Sequence, residues 1–403
     1  MSFSALALSS ETLRSISDRG HHQPTPIQTG AIPIALAGRD LVATAVTGSG
    51  KTAAYLLPIL ERLRSRKTAG LSALILAPTR ELAAQIGREF GLLARNTRLR
   101  AAVVVGGESM SRQIHELRSG ANVLVACPGR LIDHLERGIV RLDKIEIAVI
   151  DEADRLLDMG FLPQLRRILK LAPVARQTLM FSATMDSAVA QIAREFLRDP
   201  ERVTIGDASA PPDTINQAIY PVSVDNKGPM ILELLKRAEV ESAIVFTRTK
   251  SRADRVAKLL ERNRISAIAI HGDRSQSQRN AALAGFRKGA YRVLVATDVA
   301  ARGLDISDVS HVINFDLPDA PDSYIHRIGR TARMGKSGHA LSLVTPEDLQ
   351  SLNQIERTLG KKLKRETIAG FEAPVLAAPK PAMALRTPAM RRRPMPPRNR
   401  RRA

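Results

Sequence analysis

Short aliphatic runs alternate with helix-length amphipathic segments along most of this chain. The runs "RDLVATA", "SALILAPT", "AAVVVGG", "NVLVACPGR", "EIAVIDEAD" and "QTLMFSAT" are short, and helix-length stretches such as "RELAAQIGREFGLLAR" lie between them. A strand buried on both faces reads as such a continuous run, and parallel pairing needs a helical crossover to reach the neighbouring strand. The alternation therefore predicts an α/β chain with parallel sheets flanked by helices. It breaks at "GDASAPPDT", 206–214, and restarts with "SAIVFTRT", "ISAIAIHGD", "YRVLVATD", "HVINFD" and "HALSLVT". At 403 residues the chain holds two domains of ordinary size. We expect a first domain over 1–205, a linker over 206–214 and a second domain over 215–365. From 366 to 403 periodicity is lost in a Pro-, Ala-, Met- and Arg-rich stretch, which we expect to be a disordered tail.

The net charge of +21 favours a polyanionic partner, nucleic acid first. The excess is concentrated at the end: no acid follows Glu372, whereas Lys380, Arg386, Arg391 to Arg393, Arg398 and Arg400 to Arg402 do. Aromatics make up only 3% and Trp is absent, which argues against extensive base stacking. A single cysteine, Cys127, excludes an intramolecular disulfide and a cysteine-based metal cluster, and it fits a reducing compartment. No apolar run approaches the ~20 residues of a membrane span. "MSFSALALSS" lacks the basic start and long apolar core of a signal peptide. A cytoplasmic protein without a membrane partner is expected.

One strand ends oddly: Ile147 to Ile150 run directly into Asp151, Glu152 and Asp154. Acids at a strand end can simply mark its exit into solvent, or they can form a metal and water site at the carboxyl edge of a sheet. "ATAVTGSGKT", 43–52, weighs on that choice, because it follows one apolar run and precedes the helix-capable "AAYLLPILERL". Gly48 and Gly50 let backbone amides converge on phosphate, and the next helix aims its positive end there. Lys51 can neutralise β/γ-phosphate charge and Thr52 can ligate Mg²⁺. Ala45 stands where the generic phosphate loop has glycine. With such a loop upstream, Asp151 reads as the metal ligand and Glu152 as the residue for the attacking water.

Asp151 to Asp154 spell D-E-A-D, and from Phe3 to about residue 350 the chain resembles the DEAD-box RNA helicases, with the bacterial RhlE-type branch as its nearest look. The resemblance implies two tandem RecA-like domains that use ATP and Mg²⁺ and bind RNA largely through its backbone. "GHHQPTPIQ" resembles the family's Q motif, with Phe3 as the isolated upstream aromatic. It implies that Gln28 reads adenine and that His21, where the family has Phe or Tyr, stacks on it. Ala45, Thr47, Gly48, Ser49, Gly50, Lys51 and Thr52 would form the phosphate cradle. Arg80, Gly107 and Arg130 would contact RNA from the first half, and Arg248, Gly272, Thr297 and Asp298 from the second. Cys127 replaces a usual Thr, and a thiol is a poor donor, so the phosphate contact expected there is weakened. Ser182 and Thr184 of "FSAT" would link the ATP site to the closed arrangement, with Asp154 coupled to His326. Asp305 would touch the ribose. Arg330 and Arg333 of "YIHRIGRTAR" would be arginine fingers, three apart on one helical face. Ala332, where many members have Gly, is expected to matter little.

Three other readings share many of these features: an ATP-dependent RNA clamp or scaffold, a DNA helicase with the same core, and a basic binding module. The last leaves the phosphate loop and the paired arginines without a purpose. The tail is expected to bind RNA, or ribosome-assembly or RNA-decay proteins.

Overall fold

The aliphatic runs become strands because each side chain in them is covered from one face or the other. In the run 73–76, Ala73 and Ile75 face one apolar cluster and Leu74 and Leu76 face another. Full burial of one such Leu contributes about 1.5–3 kcal/mol, so a strand this short is held by both faces together. The computed structural model describes residues 2–46, 48–64, 70–205, 214–301, 306, 309–332, 337–371 and 374.

The first half carries β1 (Leu41–Ala45), β2 (Ala73–Leu76), β3 (Ala101–Val104), β4 (Val123–Ala126), β5 (Ile147–Ile150), β6 (Gln177–Ser182) and β7 (Glu201–Ile205). They form one sheet in the order β3-β4-β2-β5-β6-β1-β7, with every pairing parallel. The second half carries β8 (Ile215–Pro221), β9 (Ala243–Thr247), β10 (Ala267–Ile270), β11 (Val293–Thr297), β12 (His311–Asn314), β13 (Gly338–Val344) and β14 (Lys364–Arg365). Their order is β10-β11-β9-β12-β13-β8-β14, again all parallel. The two orders are one order, shifted along the chain by a full sheet. Helices cover both faces of each sheet, so the expected pair of RecA-like units is present.

Three strands did not stand out in the sequence. β7 is an edge strand, "ERVTI", with no fully buried position. β8 carries Asn216 and Gln217 directly after its first residue, Ile215, and ends at Pro221, so its apolar run is broken. β14 is two exposed basic residues. Without β8 the second sheet lacks its first member, which hides the duplication. The second lobe also does not stop at 365. Glu366 N–H donates to Ile219 O at 2.9 Å, and Ile368 and Phe371 pack on the lobe's core. The expected tail therefore begins as packed chain, and residues 375–403 lie outside the described residues. Of the expected linker only Thr214 is described.

His311 and His339 are cross-strand partners on β12 and β13, stacked with centroids 4.6 Å apart and 8° between planes. Burial, and then the neighbouring His339, push the His311 imidazole down to about 4. An unfolded His takes up its proton near pH 6.5. The unfolded chain therefore binds more protons than the folded one between about pH 6.5 and 4, and stability falls as pH drops through that window. Thermal unfolding between pH 7 and 4.5 should lose on the order of 2 kcal/mol to this residue, and His311→Phe should flatten that dependence.

Candidate active site

Parallel strands all end on one edge, and the motif loops gather there. After β1 the loop bends through Gly48 at φ +86° and Gly50 at φ +94° into the helix Lys51–Arg64. A Cβ on Gly50 would lie 2.5 Å from Gln28 Nε2. The close approach is used: Gln28 Nε2 donates to Gly50 O at 3.1 Å, and Thr25 N–H donates to Gln28 Oε1 at 3.0 Å. A carboxamide keeps one more hydrogen and one more lone pair beyond those two bonds. Lys51 is buried, and its ammonium donates to Ala45 O at 2.6 Å and Ser182 O at 3.4 Å.

After β5 come the acids. The Asp151 carboxylate accepts from Tyr55 Oη at 2.8 Å and from Glu152 N–H at 3.0 Å. Burial and the Glu152 charge push the Asp151 carboxyl up to about 6, against the pull of Lys51 and Tyr55. Burial and the Asp151 carboxylate raise the Tyr55 phenol well above its usual range, so the phenol is the donor. Glu152 sits at φ +48°, a left-handed turn that sends its side chain back to accept from Arg155. Asp154 takes Ala183 N–H at 3.0 Å and Thr184 N–H at 2.9 Å on one oxygen, and the Thr184 hydroxyl lies 3.2 Å from the same atom. Its own N–H donates to Ser182 Oγ at 3.2 Å. Burial would raise the Asp154 carboxyl, but His326, Lys51 and these N–H groups hold it below its ordinary value. Burial in turn pushes His326 below the usual imidazole range, although Asp154 pulls the other way.

A cavity of about 600 Å³ joins these parts, lined by Gln28, Gly48, Gly50, Lys51, Thr52, Asp151 and Glu152, with Phe3 and His21 at one end. Arg330 of the second lobe lines the same cavity and is itself buried. Its helix ends at Ile328 with Gly329 as cap, so a turn, and not a shared helical face, presents Arg330. The cavity suits a triphosphate with a divalent cation. Among the described residues Ser49 Oγ is buried at the loop with no partner, and the Asp151 carboxylate is buried beside Glu152 with lone pairs left over from its two donors.

The neighbouring strand ends form a second track. Arg80 opens the helix Arg80–Leu93 after β2, and its guanidinium makes no hydrogen bond or ion pair among the described residues. It lies so close to the turn after β3 that a Cβ on Gly107, at φ +74°, would sit 1.9 Å from Nη1. Arg130 donates to Glu108 O at 3.1 Å beside it. Cys127 caps the helix Pro128–Glu136 without a side-chain bond, and burial pushes its thiol up to about 12.

The second lobe repeats the device with a residue not singled out in the sequence. Lys250 follows β9 as Arg80 follows β2, its Cε would stand 3.5 Å from a Cβ on Gly272, and Thr249 caps its helix as Thr79 caps the other. Aligning "APTRELAAQ" with "FTRTKSRAD" would have found it. Arg248 instead turns to Leu317 O at 3.3 Å and lines another cavity with Lys227. Thr297 is buried at the end of β11, and both Asp298 oxygens are taken by Arg327 at 2.6 Å. Glu81, Gln276 and Arg279 are likewise not marked by any sequence motif considered above. Arg279 pairs with Glu81 at 2.7 Å and Gln276 donates to it at 3.1 Å, tying the lobes together. Thr47, Asp305 and Arg333 lie outside the described residues.

A family model for the DEAD/DEAH box helicases matches residues 25–192, and the helicase conserved C-terminal domain matches 226–335. A DEAD-box ATP-dependent RNA helicase named CshA, from Geobacillus kaustophilus, is 44% identical over 363 residues, covering 90% of this chain and 78% of that protein. The chain belongs to the DEAD-box ATP-dependent RNA helicases. Relatives of this kind carry the name CshA and lend no support to the RhlE-type branch. Among solved structures, Dbp5 of S. cerevisiae bound to RNA and ADP BeF3 superposes with a TM-score of 0.83 at 33% identity, covering 91% of this chain and 95% of that one. Mss116p bound to ssRNA and AMP-PNP also gives 0.83, at 29% identity, over 91% and 80%. Such agreement across both lobes at once means that the helicase holds them in the same mutual arrangement as those chains.

Ala332 departs from expectation. It sits at φ +57°, where a Cβ costs about 1–2 kcal/mol and glycine costs little. The replacement of glycine is thus a strain beside Arg330 rather than a neutral change.

Gly107→Ala tests the track. The added methyl must displace Arg80, so RNA affinity should fall about 10-fold or more, roughly the 1–3 kcal/mol of a charge-assisted contact. Gly107 lies at φ +74°, so the alanine also costs about 1–2 kcal/mol of backbone strain and the unfolding midpoint should fall accordingly; unchanged RNA affinity would separate Arg80 from RNA binding.

Proposed function

We propose that this helicase works by closing its two lobes on one ATP, with Arg330 delivered from the second lobe to the terminal phosphate. The chain is an RNA-stimulated ATPase that drives RNA unwinding, as its family membership shows. The observation that carries the closing step is the burial of Arg330 in the cavity of the phosphate loop and the Asp151–Glu152 corner.

In this reading Gln28 spends its remaining hydrogen and lone pair on adenine, with Phe3 and His21 beside the base. Ala45, Thr47, Gly48, Ser49, Gly50 and Lys51 cradle the phosphates, and Asp305 takes the ribose. Thr52 and Asp151 would hold Mg²⁺, which would supply charge neutralisation on the phosphates. Glu152 orients the attacking water once it is released from Arg155. Arg330, joined by Arg333, stabilises charge in the transition state. Asp154, Ser182, Thr184 and His326 make closure felt at the phosphates, because one carboxylate gathers the ends of β5 and β6 and faces the second lobe.

RNA runs over Arg80, Gly107 and Arg130 in the first lobe and over Gly272 and Thr297 in the second, with Lys250 added. Asp298 offers RNA its backbone only, and Arg248 acts through its turn. Gripping the backbone of one strand on both lobes makes recognition largely independent of sequence and sensitive to salt. Closure then strains a short duplex locally, and loss of phosphate reopens the cleft. ATP and RNA favour the same closed state, so each raises the affinity for the other. A cytoplasmic location belongs to the same reading; among the described residues no helix is long and apolar enough to cross a membrane.

Two variants test the site. Glu152→Gln should bind ATP and RNA and hydrolyse very slowly; near-normal turnover would remove Glu152 from its role. Arg330→Ala should lower the RNA-stimulated rate by roughly 10³-fold or more while nucleotide affinity changes little, and an equal loss of both would count against the finger. The arginine-rich stretch after 374 serves as an RNA anchor, or as the contact to ribosome-assembly or RNA-decay proteins. Removing it should weaken RNA binding and flatten its salt dependence, and an unchanged slope would assign it to protein contacts.

A further inference from the structure

Tyr55 stands on the helix that begins at the phosphate loop, one turn beyond Lys51, and its side chain is fully buried. Its ring meets Phe181 edge-on with centroids 5.2 Å apart, which fixes where the hydroxyl can reach. The hydroxyl lies 2.8 Å from Asp151 Oδ2. Among the described residues the one other hydrogen bond to this carboxylate comes from Glu152 N–H, on the second oxygen. Each oxygen thus has one donor, and a carboxylate held at both oxygens cannot rotate. The remaining lone pairs belong to a residue that lines the cavity with Thr52.

We infer that Tyr55 is a positioning residue that locks the Asp151 carboxylate and thereby sets how tightly the site takes a divalent cation. The inference rests on the reading that Asp151 holds the ion. Partners behind a ligating carboxylate orient it, and their loss costs about 10–100-fold in metal affinity. The hydroxyl is a neutral donor: it orders the carboxylate without cancelling the charge that attracts a cation. A lysine or arginine in its place would have ordered Asp151 and neutralised it together.

Tyr55→Phe removes one oxygen atom and keeps the contact with Phe181, so the fold should survive. The readout is Mn²⁺ binding to the full chain saturated with ADP, followed by electron paramagnetic resonance, alongside calorimetry of ADP binding in EDTA. Tyr55→Phe should weaken Mn²⁺ about 10-fold or more and leave metal-free ADP affinity as it is. Phe181→Leu, which loosens the ring but keeps the hydroxyl, should lower the melting temperature with a much smaller effect on Mn²⁺. Wild-type Mn²⁺ affinity in Tyr55→Phe, or an equal loss of metal-free ADP binding, overturns the inference. Asp151→Asn separates the two readings. If it too keeps wild-type Mn²⁺ affinity, the assignment of Asp151 fails; if it alone loses the ion, only the role of Tyr55 fails.

Discussion

A parallel sheet delivers every strand end to one edge, and most of the chemistry in this chain hangs on that constraint. The phosphate loop, the acids and the Ser182–Thr184 turn follow β1, β5 and β6, which are neighbours in the sheet order β5-β6-β1. Arg80, Gly107 and Arg130 follow β2, β3 and β4, also neighbours, as β3-β4-β2. The nucleotide pocket and the proposed RNA track are therefore adjoining halves of a single edge. Asp154 is where the pocket half closes up. Its carboxylate stitches the end of β5 to the end of β6 and answers to His326 from the other lobe.

The second lobe uses the same plan and spends it differently. Lys227 begins the helix after β8, as Lys51 begins the helix after β1. The second lysine, however, is consumed inside its own lobe. Its ammonium donates to Phe315 O at 2.8 Å and to Asp316 Oδ1 at 3.2 Å, with Asp348 at 3.7 Å. The chain before it reads "VSVDN", with no glycine to bend a phosphate cradle. Carboxylates of the lobe thus occupy the place that phosphates would take. What the second lobe keeps is the other half of the edge, with Lys250 beside Gly272 in the place of Arg80 beside Gly107, although the Lys250 ammonium is paired with Asp273 at 2.6 Å. On the proposed reading, one nucleotide and a two-lobed RNA grip follow from that division.

The architecture was legible in the sequence wherever a strand was buried on both faces, because only then does it form an unbroken aliphatic run. β2, β4, β5, β9 and β11 are of this kind, buried at every position. β7 and β14 have no fully buried position, so their pattern dissolves into ordinary polar sequence, whereas β3 and β10, at the opposite sheet edges, keep buried positions and still read as aliphatic runs. The site was legible through short motifs, since a glycine turn before Lys-Thr and acids after a strand each have few other uses. Partners supplied from a distance were not. Tyr55 reaches Asp151 across 96 positions and Arg279 reaches Glu81 across the two lobes. Ala332 was misjudged for a related reason, because a backbone angle leaves no mark on composition.

The three acids after β5 show how one corner can hold so much negative charge and still give each group separate work. Glu152 has a full positive charge beside it in Arg155. Asp154 has a ring of N–H donors and His326. Among the described residues Asp151 has only a phenol and one backbone amide as direct donors, with Lys51 acting from farther off, and burial and the Glu152 charge push its carboxyl up. A neutral donor orders a carboxylate but leaves its charge to be met. On the proposed reading, Asp151 is the member of the three left to take a cation, whereas Asp154, with its donors in place, acts as the joint. The division of labour within D-E-A-D follows from which partners surround each acid, and those partners are placed by β1, β6 and the second lobe rather than by the motif itself.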